Sequence, residues 1–268
     1  MIDPSTRARL DQHITAAYAI LYRTILGGVF EMTSHWMRGF SGLQIPTFNI
    51  FHPLSKKGLE DDLLADTAAF FSSKDILYTI ELVHDRFPEG PDYLDKRRYQ
   101  PLPPQPAMML EDFSTVKDDF QLNPDIVIER IQNVPSLTAF CTLLHEVFDF
   151  PLGDMIKLFP VAHLEKEARN IMRHYLAFKN DEPVGAGSSI CLDGIVSIWH
   201  VCTLDSYRRQ GIATTLVHRI LSDAMDSGSP MAMLYSTPQA YHLFNKLGFD
   251  IYTQRQWFSP PGLHYLDD

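Results

Sequence analysis

Residues 205–216 read DSYRRQGIATTL. They stand between an apolar run with strand character, IVSIWHVCT (195–203), and a helical stripe formed by Ile212, Leu216, Val217, Ile220, Leu221 and Ala224. A strand, a short loop and a helix whose mouth carries Gln210, Gly211, Ile212 and Ala213 make an anion site in physical terms. The first N–H groups of a helix have no intrahelical acceptor, and the helix dipole adds partial positive charge there. Gly211 and Ala213 are small, so a phosphate can approach the backbone, and Arg208 and Arg209 offer charge-assisted hydrogen bonds. The stretch fits a pyrophosphate. It is neither the GxxxxGK[ST] of a P-loop nor a three-glycine dinucleotide fingerprint. VGAGSSI (184–190) has two glycines but runs on into a strand, so its role is structural.

Outward from this stretch the punctuation is regular. Gly228 and Pro230 stop the helix, and MAMLY (231–235) is a short apolar strand. Thr237 is expected as N-cap and Pro238 as first residue of a helix through QAYHLFNKL, closed by Gly248, before a last strand in FDIYTQRQWF. Upstream, Asp193-Gly194 predicts a two-residue hairpin turn, and residues 180–183 (NDEP) a second turn. Strands are expected at Ile126–Arg130 and Arg173–Phe178, and helices at Leu137–Phe148 and Met155–Phe159.

VCTLDSYRRQGIATTLV resembles the acetyl-coenzyme A loop of the GCN5-related N-acetyltransferases (GNAT), R/Q-x-x-G-x-G/A, with Arg208, Gln210, Gly211, Ile212 and Ala213 in the pattern. AYHLFNKLGF (240–249) is similar to that family's A-x-x-L-Y-x-K-x-G-F helix and strand, and the two together cover about Pro124 to Trp257. The resemblance implies an α+β fold, with a mixed, mostly antiparallel central sheet flanked by helices, in which the strand at 195–203 splays from MAMLY. It also implies acetyl-CoA as cosubstrate. The pantetheine arm would lie along Val201, Cys202 and Thr203, the pyrophosphate on Arg208, Arg209, Gln210, Gly211, Ile212, Ala213 and Thr214, and Phe244 near the coenzyme. Acetyl would pass directly to a primary amine in a ternary complex.

Acyl transfer needs a neutral amine, a polarised thioester and a proton for the leaving thiolate. The family's frequent donor, a tyrosine on the final helix, is Phe244 here, and phenylalanine donates no proton. Tyr241, one helical turn earlier, is the substitute, with Ser236 and Tyr235 as further candidates; a coenzyme thiol can also leave with help from water. His200 is the candidate base, since it titrates near neutrality. Alternation sets Ser197, Trp199 and Val201 on one face of the strand and Ile198, His200 and Cys202 on the other. Cys202 as a nucleophile is the weaker idea, because a buried strand cysteine is inert. No metal site is expected: HLEKE (163–167) lacks the HExxH spacing.

The prolines of YQPLPPQPAMM (99–109) and the polar stretch beyond them place a seam at about residues 110–124, giving domains 1–115 and 116–268. The first half opens with Ser5 before a helix bearing Leu10, Ile14, Ala17, Ile20, Leu21 and Ile25, which Gly27-Gly28 ends. Strands follow at Gly28–Thr33 and Ile45–Phe51, a helix in LEDDLLADTAAFF, a strand in DILYTIELV and an apolar strand at AMMLE. This order fits a worn second copy of the fold, as in tandem GNAT proteins. It has no R/Q-x-x-G-x-G/A run, and FPEGPDYL does not begin a suitable helix. Trp36, Phe40, Phe48 and Tyr78 are candidates for walling an acceptor cleft, with core packing as their ordinary alternative.

A formal charge of −10 over 268 residues argues against a nucleic-acid partner, whose phosphates need clustered Lys and Arg, and suits cationic small molecules or basic peptides. The three cysteines never occur as CxxC, which points to a reducing cytoplasm. AAYAILYRTILGGVF is interrupted by Arg23 and too short to span a membrane. A small-molecule or peptide amine is therefore the expected partner of a monomer or homodimer. The rival readings are a non-catalytic acetyl-CoA sensor and a scaffold with both halves inactive.

Overall fold

Each apolar stripe in the sequence becomes an element that buries it. In the computed structural model, which describes residues 2–113 and 122–262, chain order runs α1 (Pro4–Thr24), β1 (Val29–Met32), β2 (Trp36–Phe40), β3 (Ile50–Pro53), α2 (Asp61–Ser72), β4 (Thr79–Val83), α3 (Gly90–Asp95), β5 (Gln100–Pro101) and β6 (Gln105–Leu110). There follow β7 (Ile126–Arg130), α4 (Val134–Phe148), α5 (Leu152–Leu158), α6 (Lys166–Ile171), β8 (Met172–Lys179), β9 (Glu182–Leu192), β10 (Ile195–Thr203), α7 (Ile212–Met225), β11 (Met231–Tyr235), α8 (Tyr241–Lys246) and β12 (Asp250–Ser259). The chain divides into two compact units, and neither is one continuous stretch: the first holds residues 1–17 and 108–250, the second 18–107 and 251–268. One of the crossings, at residues 107–108, falls just before the sequence seam at 110–124, part of which lies outside the described residues. The crossings fall within α1, within β6 and at the start of β12, because an apolar strand's sequence does not name its pairing partner.

In the first unit β7, β8, β9 and β10 form an antiparallel ladder, and β10 then pairs β11 in parallel. The β9–β10 connection is the expected two-residue turn, with Asp193 at φ 49° and Gly194 at φ 77°. α7 lays Leu216, Val217 and Ile220 on Val196, Ile198, Tyr175 and Ala177 of the sheet. Each of these fully buried aliphatic side chains contributes roughly 1.5–3 kcal/mol. The glycines of VGAGSSI have the structural role expected of them: a Cβ at Gly187 would stand 2.7 Å from Leu216 Cδ2, and one at Gly185 2.8 Å from Ile212 Cγ2. They let α7 sit close on β9. α4 packs on β8, β9 and β10 as well, starting from Asn133, whose side chain accepts the Ser136 N–H at 2.9 Å.

The second unit repeats the theme in a smaller form: β1, β2 and β3 are antiparallel, β3 and β4 parallel with α2 between them in the chain, and β4 pairs β12 antiparallel. Its core gathers Phe51, Leu64, Phe71, Tyr78 and Ile80. Tyr78 stacks on Phe71 at 4.5 Å, Trp36 tilts on Phe51 at 6.0 Å and Phe40 meets Phe70 edge-on. These three aromatics are packing residues of their own unit. Glu81 is fully buried and takes hydrogen bonds from Tyr18 (2.8 Å), Trp257 Nε1 (3.0 Å) and Arg255 (3.3 Å). Burial alone would raise its carboxyl; Arg255, His52 and Tyr18 outweigh that and hold it down to about 2.

Local expectations need three corrections. Asp3, not Ser5, caps α1, accepting the Thr6 N–H at 2.9 Å. Residues 45–51 do not form one strand, since Pro46 opens a 3-10 turn over Pro46–Phe48 and β3 starts at Ile50. FPEGPDYL enters a helix of six residues, α3, with Pro91 suited to its first turn. Thr237 caps only a turn, its hydroxyl 3.3 Å from the Ala240 N–H, and α8 begins at Tyr241.

Candidate functional site

The site is built from β10, β11 and α7, all in the first unit. Parallel pairing of β10 with β11 runs from Ile195↔Met231 to Ile198↔Leu234 and ends there, while β10 continues to Thr203. At that point β10 also carries a bulge: Trp199 pairs Ser188 but Cys202 pairs Ala186, so one residue is inserted, and His200 takes a left-handed φ of 56°. The bulge overturns simple alternation. Trp199 stays with Ser197, donating Nε1–H to its hydroxyl at 2.8 Å, whereas Val201 joins Ile198 in packing on the α7 side. His200 turns toward Phe159, ring centroids 5.2 Å apart. β10 thus runs on past the end of β11, and its edge from Trp199 to Thr203 borders a wedge that β11 does not fill.

The loop below the wedge leads through a 3-10 turn at Asp205–Tyr207 to Gly211, the N-cap of α7, at φ 82°. That left-handed conformation favours glycine. Among the described residues, a Cβ built at Gly211 meets only Asn123 Cβ at 3.6 Å, so they leave the space beside this glycine open. Ile212, Ala213 and Thr214 present first-turn N–H groups there, and no acidic residue lies in the first turn. Arg208 pairs with Asp205 at 2.5 Å, both exposed. Arg209, exposed at φ 62°, projects from the same loop. The Gln210 side chain is held by Lys179, Nζ to Oε1 2.5 Å, and its carbonyl accepts Asn123 Nδ2–H at 2.9 Å. Lys179 and Asn123 were invisible to motif reading, since they lie 31 and 87 residues from Gln210.

The catalytic candidates separate clearly. Burial pushes the Cys202 thiol up to about 12, which excludes a resting thiolate nucleophile. Phe244 is buried in the core, edge to Phe249 at 5.9 Å. Ser236 is fully buried and donates its hydroxyl to the Thr237 carbonyl at 2.8 Å. Tyr241 is half-buried at the start of α8. His200 is half-buried in surface terms, but its Nδ1 is enclosed and without a hydrogen-bond partner. Burial lowers its imidazole to about 4, so it is neutral at pH 7. Behind it stand His163 and His174, Nδ1 to Nε2 3.1 Å, and His174 Nδ1 lies 2.8 Å from Ser188 Oγ. Among the described residues no group of His, Cys, Asp and Glu is arranged to hold a metal ion.

Residues 141–249 match the Acetyltransferase (GNAT) family. A solved GCN5-related N-acetyltransferase from Kribbella flavida has a similar fold over 94% of this chain and 96% of its own, at TM-score 0.73 and 15% identity. One from Sphaerobacter thermophilus matches over 87% and 83%, at TM-score 0.62 and 12% identity. A tandem GNAT protein from the clavulanic acid biosynthesis pathway matches over 84% and 77%, at 0.58 and 11%. In sequence, the uncharacterized protein YyaT of Bacillus subtilis (strain 168) is 26% identical over 82 residues, a match spanning 31% of this chain and about half, 55%, of that protein. The segment that carries the bulged strand, the Gly211 loop and α8 is thus the part that matches the Acetyltransferase (GNAT) family, and the chain as a whole has the fold of solved GCN5-related N-acetyltransferases.

Proposed function

We propose that the first unit transfers an acetyl group from acetyl-CoA to a primary amine. The observation that carries this reading is the left-handed Gly211 at the mouth of α7, with room beside it among the described residues, on the loop after a strand that runs on past its parallel neighbour. The residues present fit the coenzyme. Backbone N–H groups of Ile212, Ala213 and Thr214 would receive its pyrophosphate, with Arg208 and Arg209 adding charge, and Gln210 is steadied by Lys179. Val201, Cys202 and Thr203 line the wedge suited to the pantetheine arm, and Phe244 supports it from the core.

When bound, acetyl-CoA supplies a thioester: the amine forms a C–N bond to the acetyl carbon, the C–S bond breaks, and the thiolate leaves to be protonated. For this chain's own residues, His200 is the group positioned to take the amine's proton. Its imidazole is unprotonated at neutral pH and the residue is half-exposed on β10. Tyr241 is the proposed proton donor, because Phe244 has no proton to give and the Ser236 hydroxyl is committed to Thr237. Cys141, Cys191 and Cys202 are free thiols, as suits a cytoplasmic protein. The test is release of coenzyme thiol from acetyl-CoA on adding primary amines. Turnover that is lost in Gly211→Glu supports the reading. Coenzyme binding with no amine-dependent release would leave a sensor instead.

A further inference from the structure

The face of the β8–β10 sheet that receives His200 carries a wall of rings. Phe159 lies 5.2 Å from His200, 5.3 Å from His174, 6.2 Å from His163 and 4.9 Å from Phe140, and Trp199 lies 6.3 Å from His200. Phe140, Phe159, His163 and His174 are fully enclosed, whereas Trp199 and His200 are half-exposed and form the accessible rim. Among the described residues, no carboxylate acts on any of the three imidazoles. Burial alone lowers His163 and His200, and His174 feels in addition only the other two histidines. Of the acids on the surrounding elements, Glu146, Asp149 and Glu165 are exposed, and Asp154 pairs with Lys157 at 3.3 Å. The wall is therefore polar but uncharged at neutral pH, and two of its nitrogens, His163 Nε2 and His200 Nδ1, are buried without partners.

We propose that the acceptor is a primary monoamine with an uncharged, apolar body, received against the Trp199–His200 rim that Phe159 backs; this rests on the acetyl-transfer reading above. The attacking nitrogen reacts only as a neutral amine, so an uncharged wall suits it, with the half-exposed His200 at its edge. A second ammonium on the same molecule would lose its water with no carboxylate to replace it, which is the costly case of a buried unpaired charge. The net charge of −10 draws cations to the molecule in general, but steering sets encounter rate and not fit.

The experiment compares kcat/KM, read by thiol release from acetyl-CoA, for hexylamine and 2-phenylethylamine against 1,6-diaminohexane and spermidine, using the full chain. The monoamines are expected to lead by about tenfold or more, since even a modest charge-burial penalty gives that ratio. Trp199→Glu, which sets a carboxylate on the rim, should narrow the gap between hexylamine and 1,6-diaminohexane while acetyl-CoA still raises the thermal midpoint. Equal or better turnover of spermidine or the diamine by the wild type overturns the monoamine assignment and leaves acetyl transfer standing. Failure of acetyl-CoA to raise the midpoint, or no release with any amine, overturns the underlying reading and this inference with it.

Discussion

Two loop-to-helix junctions in this chain, Arg208–Ala213 before α7 and Lys56–Asp61 before α2, hold equivalent places in strand–helix–parallel-strand units, yet only one has the properties of an anion site. Both follow a short 3-10 turn or contain one, and both have basic residues ahead of a glycine. At Gly211 the space is open; at Gly58 a Cβ would stand 2.3 Å from the His35 carbonyl oxygen, which already accepts the Leu54 and Ser55 N–H groups at 2.8 and 3.2 Å. The first turn of α7 has no acid, whereas α2 follows Glu60 and begins with Asp61 and Asp62, with Asp61 bound to Arg97 and Tyr93. A helix N-terminus is thus not enough. Empty space and the absence of carboxylates decide whether its N–H groups stay available to a phosphate or are used by the protein itself.

The largest effect is expected where the comparison is reversed. Gly211→Glu gives the first unit the carboxylate that the second already has, on a backbone that disfavours any side chain. Acetyl-CoA affinity should fall by at least about a hundredfold, roughly 3 kcal/mol, by calorimetry; an unchanged affinity would break the comparison.

Acid should then separate the units. His163 lies near 4 when folded and 6.5 when free, so between those values the unfolded state binds more protons. Its contribution is complete above pH 6.5 and is lost as pH falls toward 4, at a cost of about 3 kcal/mol. Glu81 works at lower pH: its depressed carboxyl keeps its contribution above about 4.5 and loses it as pH falls toward 2. Hydrogen exchange should find β8–β10 weakening before β4 and β12, and the opposite order would contradict these environments.

Smaller shifts test the space itself. Gly58→Ala drives a methyl into the His35 carbonyl and should destabilise by about 1–3 kcal/mol in urea without touching coenzyme affinity. Gly211→Ala has room and should lose only the 1–2 kcal/mol of left-handed strain, while also weakening acetyl-CoA. Smallest of all, Lys179→Met frees the Gln210 side chain and should reduce acetyl-CoA affinity by only a few-fold, about 0.5–1 kcal/mol.

Much of the first unit was legible because its signals are local. The α7 stripe, the Asp193-Gly194 turn and the small residues at 211 and 213 each fix a backbone state within a few positions. The bulge at Trp199–Cys202 was not legible: an inserted residue leaves no mark on composition, and it moved Val201 and His200 off their alternating faces. Nor were partners separated in sequence, such as Asn123 and Lys179 beside Gln210 or the other imidazoles behind His200. In the second unit the junction at Lys56–Asp61 escaped notice because its acids erase the motif while its fold persists. The crossing of β12 into that unit rests on Arg255 and Trp257 meeting Glu81, a pairing that neither segment announces alone.

The central claim is that one of the two junctions binds acetyl-CoA and the other does not. Titration calorimetry of the wild-type chain with acetyl-CoA tests it most directly. One site per chain, lost in Gly211→Glu and kept in Gly58→Ala, is the predicted result; two sites per chain, or one that survives Gly211→Glu, would contradict it.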